Sequence, residues 1–411
     1  RDWSSDVCSS DLQLQALTED DDRADAIRLD RDRLIERFLD RHPASERAAA
    51  LRVRRAIEAD LPTEEKLRLL ASVPTSSPLA EHAQRHAARL AYRAFSTASG
   101  EERAFTASRY TNLAQPLLVL DRRRASAGDA EAASLAAMRA RRIAEAVMAQ
   151  RVPDLELAER TLDVLQGLID ARAIDTADIP AEITYRRAQI ALARGDRPAA
   201  AALLDTLIEG DTRFAAAAQR LLFRDAERSL ERALASGEAG AINAAARSVI
   251  AAGLPIIERT DALPPAERPA GMLSVYAAVA DALAARFRIE HATSDRDRAL
   301  ALYQRVLEAR PRALRALRGA AEMAEAAGLD TRALEYRRTL LAGVQRGTEP
   351  WFEARLNHLR VLARTDPNRA RLALDQHNAL YPAWGPEPWG DRLRALAQEL
   401  GVTPEPAGDA P

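Results

Sequence analysis

Apolar residues return every three or four positions along almost the whole chain, which is the period of an amphipathic helix. Proline, glycine and capping residues punctuate the pattern. Helices are predicted over 20–39, 45–60, 63–73 and 79–97, with the Pro-Thr-Ser-Ser-Pro stretch at 74–78 as a loop. Ser99-Gly-Glu-Glu102 reads as a capping box opening a helix that Pro116 kinks or restarts. Further helices are predicted over 130–150, 154–173, 211–236, 239–260 (bent at Pro255) and 271–291, and a hairpin over 182–209. Residues 176–180, the prolines 264, 265 and 269, and 381–390 form connections. No run keeps the two-residue period of a strand; Leu117–Leu120 is aliphatic, but its flanks are helical. The expectation is an all-α chain of roughly fifteen helices joined by short turns, an α-solenoid.

One stretch gives the helices a register. In 295–311, Ala299, Tyr303 and Val306 share a helical face, and Pro311 lies where the helix must stop. One period on, Ala333, Tyr336 and Leu340 repeat the pattern, with Gly328 at the turn and Asp330 placed as a cap. Another step gives Ala370, Leu374 and Pro382 behind Asp366-Pro367, an N-cap with proline at the first helical position. Upstream, Gly195-Asp196 marks a turn before Ala200, Leu204 and Leu207. This spacing resembles the second helix of a tetratricopeptide repeat, a helical hairpin of about 34 residues. The resemblance implies antiparallel hairpins stacked as a right-handed superhelix with a concave groove for protein segments. The organisation expected is an N-terminal array over 13–175, tetratricopeptide-like hairpins over 176–348, a last hairpin and cap over 349–402 and a disordered tail over 403–411.

Composition changes the picture in three ways. Hydrophobic residues make up 47% of the 411, but aromatics only 4%, so packing must rest on Ala and Leu in closely spaced helices. Charged residues are 29%, yet the net charge is −2, which argues against a whole-chain affinity for nucleic acid or anionic membrane. The basic residues are arginines except Lys66. The first twelve residues resemble translated sequencing-adapter read-through and are set aside from the fold, together with Cys8. The natural N-terminus is then expected to be missing. What remains offers no cysteine chemistry, and no segment in it is expected to span a bilayer.

Catalytic signatures are absent: there is no Gly-x-Ser-x-Gly elbow, no phosphate loop and no Cys–His pair. His82 and His86 have metal-ligand spacing, but no third ligand is evident, so no metal or cofactor is expected. Gly237 and Gly240 are expected in a turn. Arg310, Arg312, Arg315 and Arg318 form the strongest charge cluster, the last three sharing a face. The resemblance places Arg315, Arg318 and, one hairpin on, Arg355 on first helices lining the groove, where they could hold the carboxylates of an acidic peptide. The family's carboxylate clamp is not reproduced, because Glu322 and Leu359 stand where it needs asparagines. The plain alternative is a solvated face balanced by Glu322 and Glu325. Tyr185 and Gln189 join the partner-binding candidates from the upstream hairpin, and Trp384 and Trp389 from the C-terminal loop. Those tryptophans read either as a plug on the last hairpin or as a hook for a partner. Arg122–Arg124, Arg139, Arg141 and Arg142 could contact phosphates, but they lack interleaved aromatics. The function expected is a non-enzymatic scaffold binding a protein or peptide. The rivals are a nucleic-acid-binding helical array, or a regulatory fragment of a larger enzyme or sensor.

Overall fold

The computed structural model describes residues 21–174, 178–269 and 271–402. The adapter-like segment with Cys8, the tail over 403–411 and part of the 176–180 connection lie outside them. The described residues form eighteen α-helices and no strand. They fall into two compact units, one ending at Phe214 and the other beginning at Ala215.

The first unit holds α1 (Asp21–Arg41), α2 (Glu46–Glu58), α3 (Thr63–Ala71), α4 (Ala80–Thr97), α5 (Gly100–Ser126), α6 (Ala130–Met148), α7 (Leu155–Asp170), α8 (Ile179–Arg194) and α9 (Arg197–Glu209). Each helix packs on the next, as short turns between antiparallel neighbours require. The alanine-rich composition shows its use here. On α6, Ala133, Ala136, Ala140 and Ala144 are all buried, and Ile143 and Leu165 fill the space beside them. Small side chains let the backbones approach, and the few aromatics, Phe95 and Tyr110 among them, plug what remains.

The second unit holds α10 (Ala215–Ser236), α11 (Ala239–Asp261), α12 (Met272–Glu290), α13 (Thr293–Ala309), α14 (Leu314–Ala326), α15 (Asp330–Gly343), α16 (Glu349–Thr365), α17 (Pro367–Leu380) and α18 (Trp389–Glu399). Consecutive helices pack against each other as helical hairpins. Ala299, Tyr303 and Val306 are buried in one core with Val279, Leu283 and Met323. First helices also touch across the intervening second helix, α12 on α14 and α16 on α18. The cap at Asp366 forms, its carboxylate accepting from the Arg369 amide at 3.0 Å, and Asp196, read from sequence as part of a turn, caps α9 by accepting from the Ala199 amide at 3.1 Å. Gly195 and Gly328 take the left-handed conformation at their turns.

Several local expectations are corrected. Helix α5 runs unbroken through Pro116, and α11 through Pro255. Both prolines are exposed, and so are Asn112 and Ala251, whose carbonyls lose their partners, so water can take the freed acceptors. The capping box at Ser99 does not form: Gly100 has φ +57°, and the Ser99 side chain accepts no amide. Asp330 is the first residue of α15 rather than its cap, and it accepts from Arg364 at 2.9 Å instead. Pro180 lies within the first turn of α8, not in a loop. Gly237 is in a turn, but Gly240 is inside α11. Contrary to the expectation about membranes, α11 is long and apolar enough to cross one. Its apolar residues Val249, Ile250 and Ile257 lie instead in the core shared with α10 and α12.

One buried group makes this unit sensitive to acid. His358 on α16 is half-buried, and burial pushes its imidazole down to about 4, with Arg355, Arg338, Arg337 and Arg369 adding to the shift. The unfolded chain takes up this proton near pH 6.5 while the folded chain does not, so stability falls as the pH drops from 6.5 towards 4. His358→Phe is expected to flatten this part of the pH profile, measured by urea unfolding across that window.

Candidate functional site

The first helices α12, α14 and α16 carry most of the charged candidates. Arg315 on α14 donates to Asp281 on α12 through both Nε and Nη2. Arg288 on α12 donates to both oxygens of Glu322 on α14, at 2.6 and 2.7 Å. Arg318 on α14 reaches Glu353 on α16 at 3.5 Å. The partners are 34, 34 and 35 residues apart, which is the hairpin period. Charges of opposite sign at matching places in successive hairpins therefore bridge the first helices, and the arginines expected to receive a ligand already hold carboxylates of their own chain.

Asp281 is the pivot. It also accepts from the hydroxyl of buried Tyr303. Burial raises its pKa, while Tyr303 and Arg315 pull the other way. Bonding to Glu322 raises that of Arg288. Beside this pair lies a cleft of about 270 Å³, with Leu230 and Leu234 of α10 and Ala278 of α12 on its walls. Glu227, Glu231, Asp281, Arg288 and Arg315 supply its polar lining. Leu234 is 45% exposed. Glu227 and Glu231 have no basic partner within 4 Å among the described residues; burial raises the pKa of Glu227 against the pull of Arg315, with Glu231 and Asp281 adding to the rise.

The other candidates scatter. Arg312 lies in the turn before α14, so it does not share a face with Arg315 and Arg318. Arg355 is half-buried and donates to the Ala373 carbonyl at 3.0 Å, and burial lowers its pKa. It belongs to the packing of α16 on α17 rather than to the charge ladder. Trp384 is 1% exposed, in a core with Phe352, Leu374 and Leu393, which takes it off the surface. Trp389 is half-buried, with Nε1 donating to Glu349 at 3.2 Å. In the first unit, Tyr185 stacks on Phe214 at 5.4 Å, and Gln189 accepts from Arg186 at 3.1 Å. His86 is held below its ordinary pKa by burial, with Arg89 and His82 adding to the effect. No group of three metal-ligating side chains occurs among the described residues.

Sequence reasoning missed Glu227, Glu231 and Asp281. The signal available was opposite charge recurring at the hairpin period, as in Asp281 with Arg315 and Arg288 with Glu322.

No family model matches the chain, and no curated protein matches it. Among solved structures it is similar to the P58(IPK) TPR domain, at 15% identity over 88% of this chain and 99% of that one, with a TM-score of 0.29. It is also similar to a circular tandem repeat protein with novel repeat topology and enhanced subunit contact surfaces, at 16% identity over 96% of this chain and 93% of that one, with a TM-score of 0.18. The architecture stands on the helices and their packing rather than on these superpositions.

Proposed function

We propose that the chain is a non-enzymatic interaction scaffold that binds a protein segment in the cleft between α10 and α12. The supporting observation is the inventory of spent and unspent groups. Arg288 and Arg315 are bonded to Glu322 and Asp281, whereas Glu227 and Glu231 have no basic partner within 4 Å among the described residues and Leu234 faces solvent. The uncommitted charge is acidic. The segment that fits is one carrying an apolar residue next to a lysine or arginine, in place of the acidic peptide that the arginine positions suggest on sequence alone. The apolar side chain would lie against Leu230 and Leu234, and the cation would pair with Glu227 and Glu231 in a partly desolvated site.

Selection of random peptides displayed on phage against the full chain tests this reading. Enrichment of peptides pairing an aliphatic or aromatic residue with a basic one is expected. Leu234→Glu and Glu231→Lys should each abolish it without lowering the melting temperature, since both positions are exposed. Enrichment of acidic peptides, or a selection indifferent to these two changes, would reject it.

A further inference from the structure

A second cleft, of about 590 Å³, lies wholly within the first unit among α4, α5 and α6. Five arginines line it: Arg85 and Arg89 from α4, Arg124 from α5, and Arg139 and Arg142 from α6. Three are committed. Arg85 donates to Asp121, which is 0% exposed and is also ion-paired with Arg139, and Arg124 donates to both oxygens of Glu81 at 2.7 Å. Asp121 thereby fixes two guanidiniums at the base of the cleft. Arg89 and Arg142 have no carboxylate partner among the described residues; Arg89 is exposed, and Arg142 lies over the Tyr92 ring at 4.1 Å.

Tyr110 is the independent observation. It lines the same cleft and is only 3% exposed, yet its hydroxyl makes no hydrogen bond among the described residues. The hydroxyl itself keeps contact with solvent in the cleft, so it is a donor open to a ligand that enters there. The acidic groups at the rim do not fill that role. Glu81 is held by Arg85 and Arg124, Asp129 accepts from the amide of Ala132 at 2.9 Å, and Glu131 is exposed. Leu135 and Met138 add an apolar wall. The volume falls in the range of small-molecule sites, and the lining is more charged than in most of them, which suits an anionic ligand.

We infer that this cleft binds a small organic phosphate, with Arg89, Arg142 and the Tyr110 hydroxyl on the phosphoryl oxygens and the organic body along Leu135 and Met138. Two planar forks without a carboxylate partner and a hydroxyl donor suit a dianion with three terminal oxygens better than a carboxylate with two.

The test uses the full chain and isothermal titration with AMP, glucose 6-phosphate and free phosphotyrosine, beside adenosine, glucose and tyrosine. At least one ester is expected to bind, its unphosphorylated counterpart not to, and the affinity to fall as NaCl is raised. The three esters separate the nature of the body from the shared phosphate. Arg142→Ala should weaken binding about tenfold or more, the scale of a lost charged hydrogen bond. Tyr110→Phe should weaken it severalfold. Arg89→Ala, at an exposed position that leaves the fold intact, should weaken it comparably. Failure of all three esters to bind, binding equal to that of the unphosphorylated counterparts, or binding undiminished in Arg89→Ala would overturn the inference.

Discussion

Replacing Gly319 with alanine is expected to destabilise the second unit by about 3 kcal/mol, at the upper end of what overpacking costs. A Cβ at this position would lie inside contact distance of the Tyr303 ring, 2.5 Å from Cε2 and 2.6 Å from the hydroxyl oxygen. The ring has nowhere to go, because Tyr303 is 1% exposed and its hydroxyl is tied to Asp281. The glycine exists to let α14 approach α13 over an aromatic. Moving the ring would also strip the half-buried Asp281 carboxylate of a donor. The gain in helix propensity from Gly to Ala is at most about 1 kcal/mol and does not offset this. Gly240 supplies the contrast: it is also inside a helix, but a Cβ there meets only the Glu238 side chain, at 4.0 Å. Gly240→Ala should be neutral or slightly stabilising, so urea unfolding of the two variants side by side separates the close approach from the propensity. A Gly319→Ala variant as stable as the parent would mean that the Tyr303 contact is not as tight as described.

That contact shows what a sequence can carry. Ala299, Tyr303 and Val306 were legible because a helix repeats its faces locally, and the burial of all three follows from that period. The cap at Asp366 was legible for the same reason, since donor and acceptor lie three residues apart. Gly319 was not singled out, because what makes it necessary is a ring on the preceding helix. Ser99 and Asp330 failed as caps through the conformation of one neighbouring residue and the arrival of an arginine from α16. On sequence the charged candidates face either a ligand or solvent with Glu322 and Glu325 as counter-charges, whereas an arginine finds whichever carboxylate the stacking brings near: Glu322 pairs with Arg288, and Glu325 with Arg337 and Arg364. Arg315 and Arg318 were placed on first helices as the register required, but their partners stand one hairpin away. In the first unit, the lack of interleaved aromatics near Arg139 and Arg142 was true of the local sequence. Tyr92 and Tyr110 reach those arginines from two other helices.

Asp121 is where the same argument has its largest consequence for stability. It is fully buried between Arg85 and Arg139, and Arg139 is itself 6% exposed. Burial, and after it the neighbouring Arg85, disfavour the charge on Arg139. The Asp121 carboxylate is what makes two guanidiniums tolerable there. Asp121→Asn keeps the shape and removes the charge, leaving Arg139 without compensation in a poorly solvated place. Removing one partner of a buried ion pair costs about 3–5 kcal/mol, and a loss in that range is expected. Hydrogen exchange should localise it, with faster exchange across α4, α5 and α6 and unchanged exchange in the second unit. Replacing the pair with apolar residues, Asp121→Leu with Arg139→Met, should recover much of the loss, because the penalty belongs to the stranded charge and not to the absence of a salt bridge. The double variant still forfeits the base of the phosphate cleft, since Arg85 loses its anchor and Arg139 is gone. Stability restored without ester binding would therefore show that this buried charge is kept for the cleft it organises and not for the fold, whereas a double variant as unstable as Asp121→Asn would make the ion pair itself the structural element.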